Sequence, residues 1–215
     1  MASAAEQLAR NLNFSTFAKA KVLQQRILFT LLALLVYRLG TYIPVPGIDP
    51  DAYAQSFENA SQGIAGMFDV FAGGAVQRMA IFALNLIPYI TASIVVQVVS
   101  SASPRLEALK KEGESGRRKL NQYTRYLTVL FCTVQAYGIA RGLEASQGVV
   151  LNPGIFFQVS TVITLVGGTM FLMWLGEQIT SRGVGNGISL IIFAGIVANL
   201  PGTVIETLEL TRQGS

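Results

Sequence analysis

The residues that carry most enzyme chemistry are scarce in this 215-residue chain. It has no histidine, the commonest general base and metal ligand, and its one cysteine, Cys132, lies inside an apolar block. The sequence pairs no carboxylates and sets no nucleophile beside a base. These observations exclude metal catalysis, Cys–His chemistry and Ser–His–Asp triads, so the sequence predicts a protein that is not an enzyme and uses no cofactor or metal.

One polar residue in an apolar setting points to a different kind of function. The apolar run Ile64–Ala72 contains Asp69, is too short to cross a bilayer and stops at Gly73 and Gly74. Because backbone groups in lipid must be satisfied by protein, an interrupted helix at membrane depth survives only against other protein or in a water-filled cavity. The run therefore indicates a segment that lies in a path through a membrane.

The rest of the chain has the composition of an all-α integral membrane protein. Hydrophobic residues make up 51% of it and charged residues 13%, and the apolar residues are collected into blocks. A bilayer core of about 30 Å takes about 20 helical residues. After an N-terminal segment, residues 1–26, the sequence predicts five crossings: 27–43, 80–99, 123–143, 155–175 and 188–204. Pro88 is expected to bend the second of these helices.

Charges in the connecting segments predict the orientation. Twelve of the sixteen lysines and arginines lie in segments that share the side of the N-terminus: 1–26, 100–125 and 177–187. The segments on the other side contain three: Arg78, Arg141 and Arg212. By the positive-inside rule, the N-terminus is cytosolic and the C-terminal segment, residues 205–215, is outside. Arg38, inside the first block, is expected to extend to the lipid head groups.

Four ordered motifs then identify a resemblance that covers nearly the whole chain. They are YIPVPGID (42–49), KKEGESGRRK running into NQYTRY (110–126), GTMFLMWLGEQIT (168–180) and RGVGNGISLIIFAGI (182–196). On these motifs the chain resembles the first half of the SecY family, the pore subunits of the bacterial-type Sec protein-conducting channel. The resemblance implies a ten-span, inverted-repeat fold in the bacterial cytoplasmic membrane, with this chain ending at the hinge between its two halves.

The resemblance also implies a role for the interrupted run. Residues 64–74 resemble the family's plug, a short re-entrant helix that enters from the outer side and blocks the closed pore. Its apolar bulk and its glycine link come from six residues: Met67, Phe68, Val70, Phe71, Gly73 and Gly74. The glycine pair is expected to form a movable hinge. From the pattern alone, an amphipathic helix lying at the outer interface remains the alternative.

Two pairs of aliphatic residues resemble half of the family's hydrophobic pore ring. Leu86 and Ile90 are four apart in the second block, and Ile188 and Ile192 are four apart in the fifth, so each pair projects from one helical face. A constriction lined by such side chains resists ions without binding a passing polypeptide. Ordinary contact with lipid or neighbouring helices is the alternative for all four.

Four polar residues in the second and third blocks resemble part of the lateral gate, the seam through which apolar segments leave toward lipid. They are Thr91, Ser93, Gln97 and Gln135. Hydrogen bonding within and between packed helices explains them equally well.

A basic cytosolic loop, residues 101–122, is expected to turn at Gly113 and Gly116. Its charges would enforce topology, bind anionic lipids, and contact the ribosome or a SecA motor ATPase, as the resemblance implies. The residues concerned are Lys110, Lys111, Arg117, Arg118 and Lys119. A second glycine-rich turn, residues 182–187, precedes a helix, and its amides are expected to suit an anion.

The function implied by the resemblance is a passive channel for secretory polypeptides crossing the membrane and for membrane segments entering it. The implied partners are the C-terminal half of the same channel, SecE-type and SecG-type small subunits, SecA, the ribosome, signal sequences, nascent chains and anionic lipids. Half of an inverted-repeat transporter for a small solute is the alternative. The absence of Asp, Glu or Lys from the middle of every predicted span counts against it. A structural subunit without a pore would leave the interrupted run unexplained.

Overall fold

The computed structural model describes residues 21–60, 64–146 and 148–212, and in these ranges the chain is built from helices. In order they are α1 Lys21–Gly40, α2 Pro50–Ala60, α3 Ile64–Ala72, α4 Ile87–Ala102, α5 Pro104–Lys111, α6 Glu114–Ala145, α7 Ile155–Arg182 and α8 Gly187–Arg212. The predicted all-helical class is confirmed. Most of the predicted N-terminal segment 1–26 and the last three residues of the outer segment 205–215 lie outside the described residues.

Length and composition qualify two of these helices, α1 and α7, to cross a membrane alone. α4 and α5 qualify only as a pair, and their axes differ by 102° at the break between them. α8 contributes a shorter apolar stretch, Gly187–Gly202, and continues as a helix through Pro201. Five crossings therefore remain a prediction, although each predicted block contains a helix.

The second predicted span is wrong over its first third. Residues 80–86 form successive turns, and α4 begins only at Ile87. Met79 and Asn85 have φ values of 44° and 49°, in the left-handed region, which a right-handed helix excludes. Pro88 consequently lies in the first helical turn, where a missing N–H costs no hydrogen bond, and it bends nothing.

This turn segment, residues 79–86, lies between two hydrophobic clusters. Met79, Ala83 and Leu84 pack into one cluster together with residues of α2, α6 and α7. Phe82 and Leu86 pack into the other, together with residues of α1, α7 and α8. The segment therefore lies in the middle of the bundle and connects the two hydrophobic clusters.

Two glycines on neighbouring helices admit the turn segment. A methyl group on Gly168 of α7 would overlap the carbonyl oxygen of Ile81, and one on Gly40 of α1 would overlap the ring of Phe82. With both positions bare, Phe82 stacks between Tyr37 and Phe171, at ring-centroid distances of 6.2 and 5.9 Å. The turn segment can therefore pack this closely only because Gly40 and Gly168 have no side chains.

The connecting segments gather at opposite ends of the bundle. At one end, Thr30 Oγ1 of α1 accepts a hydrogen bond from Val184 N at 3.1 Å, and Asn121 of α6 and Asn186 line one cavity of about 300 Å³. At the other end, the 41–49 loop pairs with the 149–151 loop, with Asp49 N donating to Val149 O at 2.9 Å. The segments rich in lysine and arginine therefore share one end.

The close approach at Gly168 leads to a first prediction. Gly168→Ala should lower the free energy of unfolding by about 1–3 kcal/mol, because the new methyl group overlaps backbone that has no room to move. Gly167→Ala, one residue earlier in α7, is the matched control, since its methyl group would meet nothing within 4 Å. Thermal denaturation of the full-length protein in detergent measures both, and equal midpoints would contradict the packing described here.

Candidate functional site

The short helix α3 ends at a turn that exposes its last carbonyl groups. After Ala72 the chain passes through Gly73 and Gly74, with φ values of 67° and 81°, and enters the turn segment seven residues after Ala72. The last carbonyls of any helix lack intrahelical partners and need donors from elsewhere. Here the carbonyls from Asp69 to Gly73 lie against α1, the turn segment and α8.

Four side chains donate hydrogen bonds to these carbonyls, and we call them the donor set: Tyr37, Arg38, Asn85 and Asn199. On α1, Tyr37 Oη donates to Ala72 O at 3.4 Å and Arg38 Nη1 donates to Gly73 O at 2.6 Å. From the turn segment, Asn85 Nδ2 donates to Phe71 O at 2.7 Å. On α8, Asn199 Nδ2 donates to Val70 O at 3.4 Å and to Asp69 O at 3.5 Å. Three separate elements thus hold one helix end.

The backbone of this helix end lies directly against α8. A methyl group on Gly195 would lie 2.6 Å from Phe71 O and 2.9 Å from Tyr37 Oη, and one on Gly73 would lie 3.1 Å from the Cα of Gly195. The Asp69 carboxylate accepts a hydrogen bond from Gln77 N at 2.8 Å, across the turn. In this structure the glycine pair therefore forms a hydrogen-bonded turn in close contact with α8, with a backbone conformation that glycine adopts readily.

The expected extension of Arg38 to lipid head groups is wrong. Besides its bond to Gly73 O, the guanidinium donates to Tyr42 Oη at 3.0 Å and lies 5.0 Å from the centre of the Tyr42 ring. Arg78 lies 4.4 Å from the same ring centre and donates to Gly74 O at 2.9 Å. A carbonyl acceptor near the end of α3 therefore attracts Arg38 inward.

The position of the α3 end along the bundle follows from the two helices that contact it. Gly195 follows Gly187 by eight residues in α8, about 12 Å from the end of the bundle that holds the 183–186 turn, and Tyr37 lies seven residues after Thr30, which contacts that turn. Tyr37 is also three residues before the last residue of α1, so the α3 end lies about 4–5 Å from the opposite end of that helix.

The apolar side chains of α3 are uncovered in this chain. Met67, Phe68, Val70 and Phe71 are 66%, 43%, 46% and 45% exposed. Phe68 also lines a mostly apolar cavity of about 440 Å³ between α3, the turn segment and α6. The face of α3 that the donor set does not hold is thus available to a partner or to the interior of a pore.

A tyrosine of α2 holds the segment after α3. Tyr53 Oη donates to Val76 O at 2.8 Å. Burial and, to a smaller extent, the negative charge of Asp69 together raise the pKa of Tyr53 to about 12. The phenol therefore remains a neutral donor throughout the physiological pH range.

The structure brings together three of the four predicted ring residues. Leu86 is fully buried in the cluster of α1, α7 and α8, and Ile188 and Ile192 pack against that cluster. Ile90, whose N–H bonds to Leu86 O at 2.9 Å, lies one turn further along α4 and is 36% exposed. Leu86 thus packs inside this half of the molecule, while Ile90 projects from its surface.

The predicted gate residues bond chiefly within their own helices. Thr91 Oγ1 donates to Ile87 O at 3.0 Å, and Gln97 Nε2 donates to Ser93 Oγ at 3.3 Å on the surface of α4. Gln135 of α6 is half-buried and lines the cavity beside Phe68. The structure therefore does not join the four into one polar cluster.

The predicted basic loop is a helical hairpin, formed by α5 and the start of α6. Gly113 has φ 77° and makes the turn, as predicted, but Gly116 is buried inside α6, where a methyl group would overlap Leu109 O. Three of the five basic residues pair with carboxylates: Lys111 with Glu107, Arg118 with Glu114, and Lys119 with Glu112. Lys110 and Arg117 have no ion pair among the described residues, and both line a shallow cleft of about 490 Å³.

Three amides of the 182–187 turn, those of Gly183, Val184 and Gly187, already donate to acceptors of the protein and are not free for an anion. The expected anion site stays a prediction. Thr180 Oγ1 accepts a hydrogen bond from Gly187 N at 2.8 Å. Asn186 Oδ1 accepts from Ile188 N at 3.1 Å and from Ser189 N at 3.2 Å, which caps α8. These N–H groups therefore already donate to side chains of the protein.

Comparison with known proteins decides the family. The SecY family model matches residues 80–215. The chain belongs to the SecY family. Among curated relatives, the SecY protein translocase subunit of Rickettsia bellii is 52% identical over 209 residues, which are 95% of this chain and 48% of the relative. That of Escherichia coli K12 is 54% identical over 195 residues, 89% of this chain and 44% of the relative. The chain thus spans about half the length of the SecY relatives it matches.

Solved structures show that the fold is shared with distant channels. Sec61 in the canine ribosome-channel complex from the endoplasmic reticulum superposes with a TM-score of 0.62 at 18% identity, over 89% of this chain and 42% of that one. A structure described as that of a protein conducting channel superposes equally well. The SecY-type fold of this chain therefore extends to proteins of low sequence similarity.

Sequence reasoning misses half of the donor set. It does not distinguish Tyr37 and Asn199 from other polar residues of apolar blocks, and Gly195 enters it only as part of a motif. A signal was present, because each is a polar or small residue inside a block otherwise suited to lipid. Tertiary contacts determine which carbonyl each donor binds, and most of these contacts join residues more than 30 positions apart in the sequence.

The contact between the turn segment and α3 leads to a second prediction. Asn85→Gly keeps the left-handed backbone accessible but removes the donor to Phe71 O, so the unfolding free energy of the full-length protein should fall by about 1–3 kcal/mol. Asn152→Ala, at an exposed loop position, is the control and should change it by less than about 0.5 kcal/mol. If both variants denature at the parent temperature, the hydrogen bond does not stabilise the site.

Proposed function

We propose that this SecY chain is the N-terminal half of a protein-conducting channel, which lets secretory polypeptides cross the bacterial cytoplasmic membrane and membrane segments enter it laterally. The observation that carries the proposal is the short helix α3, whose C-terminal end is bound inside the bundle by side chains of three elements while its apolar face stays uncovered. A chain of this family that holds such a helix inside a bundle has the parts of a plugged pore.

The proposed topology has five spans and a re-entrant plug, α3, with the N-terminus cytosolic. The shared end of the basic segments supports this orientation, because α1, the α5–α6 hairpin and the 183–186 turn all meet there. α3 follows the 41–49 loop and α2 in the chain, and its end contacts Gly195, about 12 Å along α8 from the opposite end of the bundle, which supports re-entry from the outer side. Residues 205–215 would then lead to the second half outside the membrane.

In this proposal Ile90 and Ile192 face the path of the polypeptide, and Leu86 and Ile188 support them from behind. The burial of Leu86 and the exposure of Ile90 suit this division, since a ring needs rigid backing as well as a lining. On α4, Thr91 and Gln97 are exposed and Ser93 is half-buried. These three residues would contribute to the lateral gate, with Gln135 beside the plug.

The proposed partners follow from the family and from what the chain leaves uncovered. The C-terminal half of the channel would cover the apolar face of α3, and SecE-type and SecG-type subunits would brace the assembly. The α5–α6 hairpin would contact SecA, the ribosome and anionic lipids; the Sec61 relative was itself solved in a ribosome-channel complex. Energy for transport would come from these partners, and the channel itself would need no cofactor.

Crosslinking tests the proposed path. Single cysteines at Ile90 and Ile192, in a full-length protein carrying Cys132→Ala, should crosslink to a secretory chain stalled during translocation. Cysteines at the supporting positions Leu86 and Ile188 should crosslink several-fold less. A cysteine at Phe156, 86% exposed on α7, is the control and should not react with the stalled chain. If a small solute protects these cysteines and the stalled chain never reaches them, the chain is half of a transporter instead.

Neutralisation of the basic hairpin tests the proposed cytosolic partners. Replacement of Lys110 and Arg117 by glutamine should weaken the binding of SecA to the full-length channel in nanodiscs by about tenfold or more, because neither charge has an ion pair within the part of the chain that the structure describes. The control replaces Lys111 and Arg118, which pair with Glu107 and Glu114, and changes the net charge equally. An equal loss of binding in the two double variants would show that net charge alone matters.

A further inference from the structure

Arg38 differs from the other members of the donor set. It is the only charged member, and its hydrogen bond, 2.6 Å from Nη1 to Gly73 O, is the shortest of the set. Its acceptor, Gly73 O, belongs to the link that follows α3, whereas the other members of the donor set bind carbonyl groups of the helix itself. Charge-assisted hydrogen bonds are about twice as strong as neutral ones, so Arg38 is the strongest single tie between α1 and the α3 segment.

We propose that Arg38 is the positioning residue that keeps the channel closed at rest, by holding the Gly73 carbonyl and with it the plug helix. This inference rests on the proposed function and deepens it, because it assigns the control of closure to one side chain of α1. The positive charge also lies beyond the C-terminal end of α3, where the helix dipole favours a cation.

The surroundings of Arg38 explain why the closed arrangement is preferred. Among the described residues, Arg38 has no carboxylate partner, and its guanidinium is satisfied by the Gly73 carbonyl, the Tyr42 hydroxyl and the Tyr42 ring. When α3 moves away, the guanidinium loses its strongest acceptor in a partly buried site, which is costly without a replacement. The backbone carbonyls of an entering polypeptide would supply that replacement. Closure is thus favoured in an empty pore and released in an occupied one.

Arg78 provides a matched comparison within the same site. It also donates to a glycine carbonyl, Gly74 O at 2.9 Å, and it also lies over the Tyr42 ring, at 4.4 Å. However, Arg78 belongs to the same stretch of chain as Gly74, four residues away, and it moves with that stretch. It therefore cannot tie the α3 segment to α1 through its hydrogen bond.

The test uses the full-length channel with its partner subunits, reconstituted in vesicles without a secretory substrate. Arg38→Gln should raise the resting leak of a small anion about tenfold or more, since a charge-assisted bond is lost. Arg38→Lys, which keeps the charge but cannot fork between Gly73 O and Tyr42 Oη, should raise it less. Arg78→Gln loses a hydrogen bond within one segment and a weak cation–π contact with the Tyr42 ring, so it should leave the leak within about twofold of the parent protein.

Transport of an ordinary secretory protein is measured on the same vesicles and separates the possible failures. Transport by the parent and by the Arg38 variants, together with the expected leak, supports the proposal. An unchanged leak in both Arg38 variants, or an equal leak in Arg78→Gln, overturns it while the channel function stands. A parent protein that transports nothing contradicts the channel function instead. If thermal denaturation shows Arg38→Gln to be unfolded, the leak of Arg38→Lys decides.

Discussion

Backbone carbonyl groups inside a lipid bilayer must find hydrogen-bond donors within the protein. α3 meets this constraint with side chains of three elements that are far apart in sequence, so its position is specified from several directions at once. A short helix ending in bare carbonyls could not remain at membrane depth. The same bonds are individually modest, which suits the proposed release of this segment when the pore fills.

The rest of the fold prepares this site. α1 contributes Tyr37 and Arg38 on consecutive positions, and its Gly40 lets the turn segment pack closely. The turn segment abandons helical geometry at Met79 and Asn85, and this change of direction aims the Asn85 amide at Phe71 O. Gly195 brings the α8 backbone into contact with the end of α3. The absence of side chains at Gly40 and Gly195 thus matters as much as the donors do.

The sequence predicts the class and the general position of the five long helices α1, α4, α6, α7 and α8 well, because long apolar blocks leave few alternatives in a membrane. It also predicts the short helix Ile64–Ala72 and its end at Gly73 and Gly74 correctly, because the apolar run is short and stops at two glycines. It does not predict the short helices α2 and α5. It fails where tertiary contacts override a local pattern. The block 80–99 has a continuous helical composition, yet left-handed φ values and the contact with Gly168 shorten the helix to Ile87–Ala102. The rule that a charged side chain near a helix end extends to the lipid head groups fails for Arg38, because Gly73 O accepts its hydrogen bond. No sequence pattern reveals that this carbonyl lies within reach.

The most direct test of this account is a structure of the full-length channel in a lipid bilayer with a secretory polypeptide stalled inside it. The account predicts that the polypeptide passes beside Ile90 and Ile192, and that α3 has left the donor set, with Gly73 O no longer bonded to Arg38. A polypeptide that runs elsewhere while α3 keeps all four donors would contradict it.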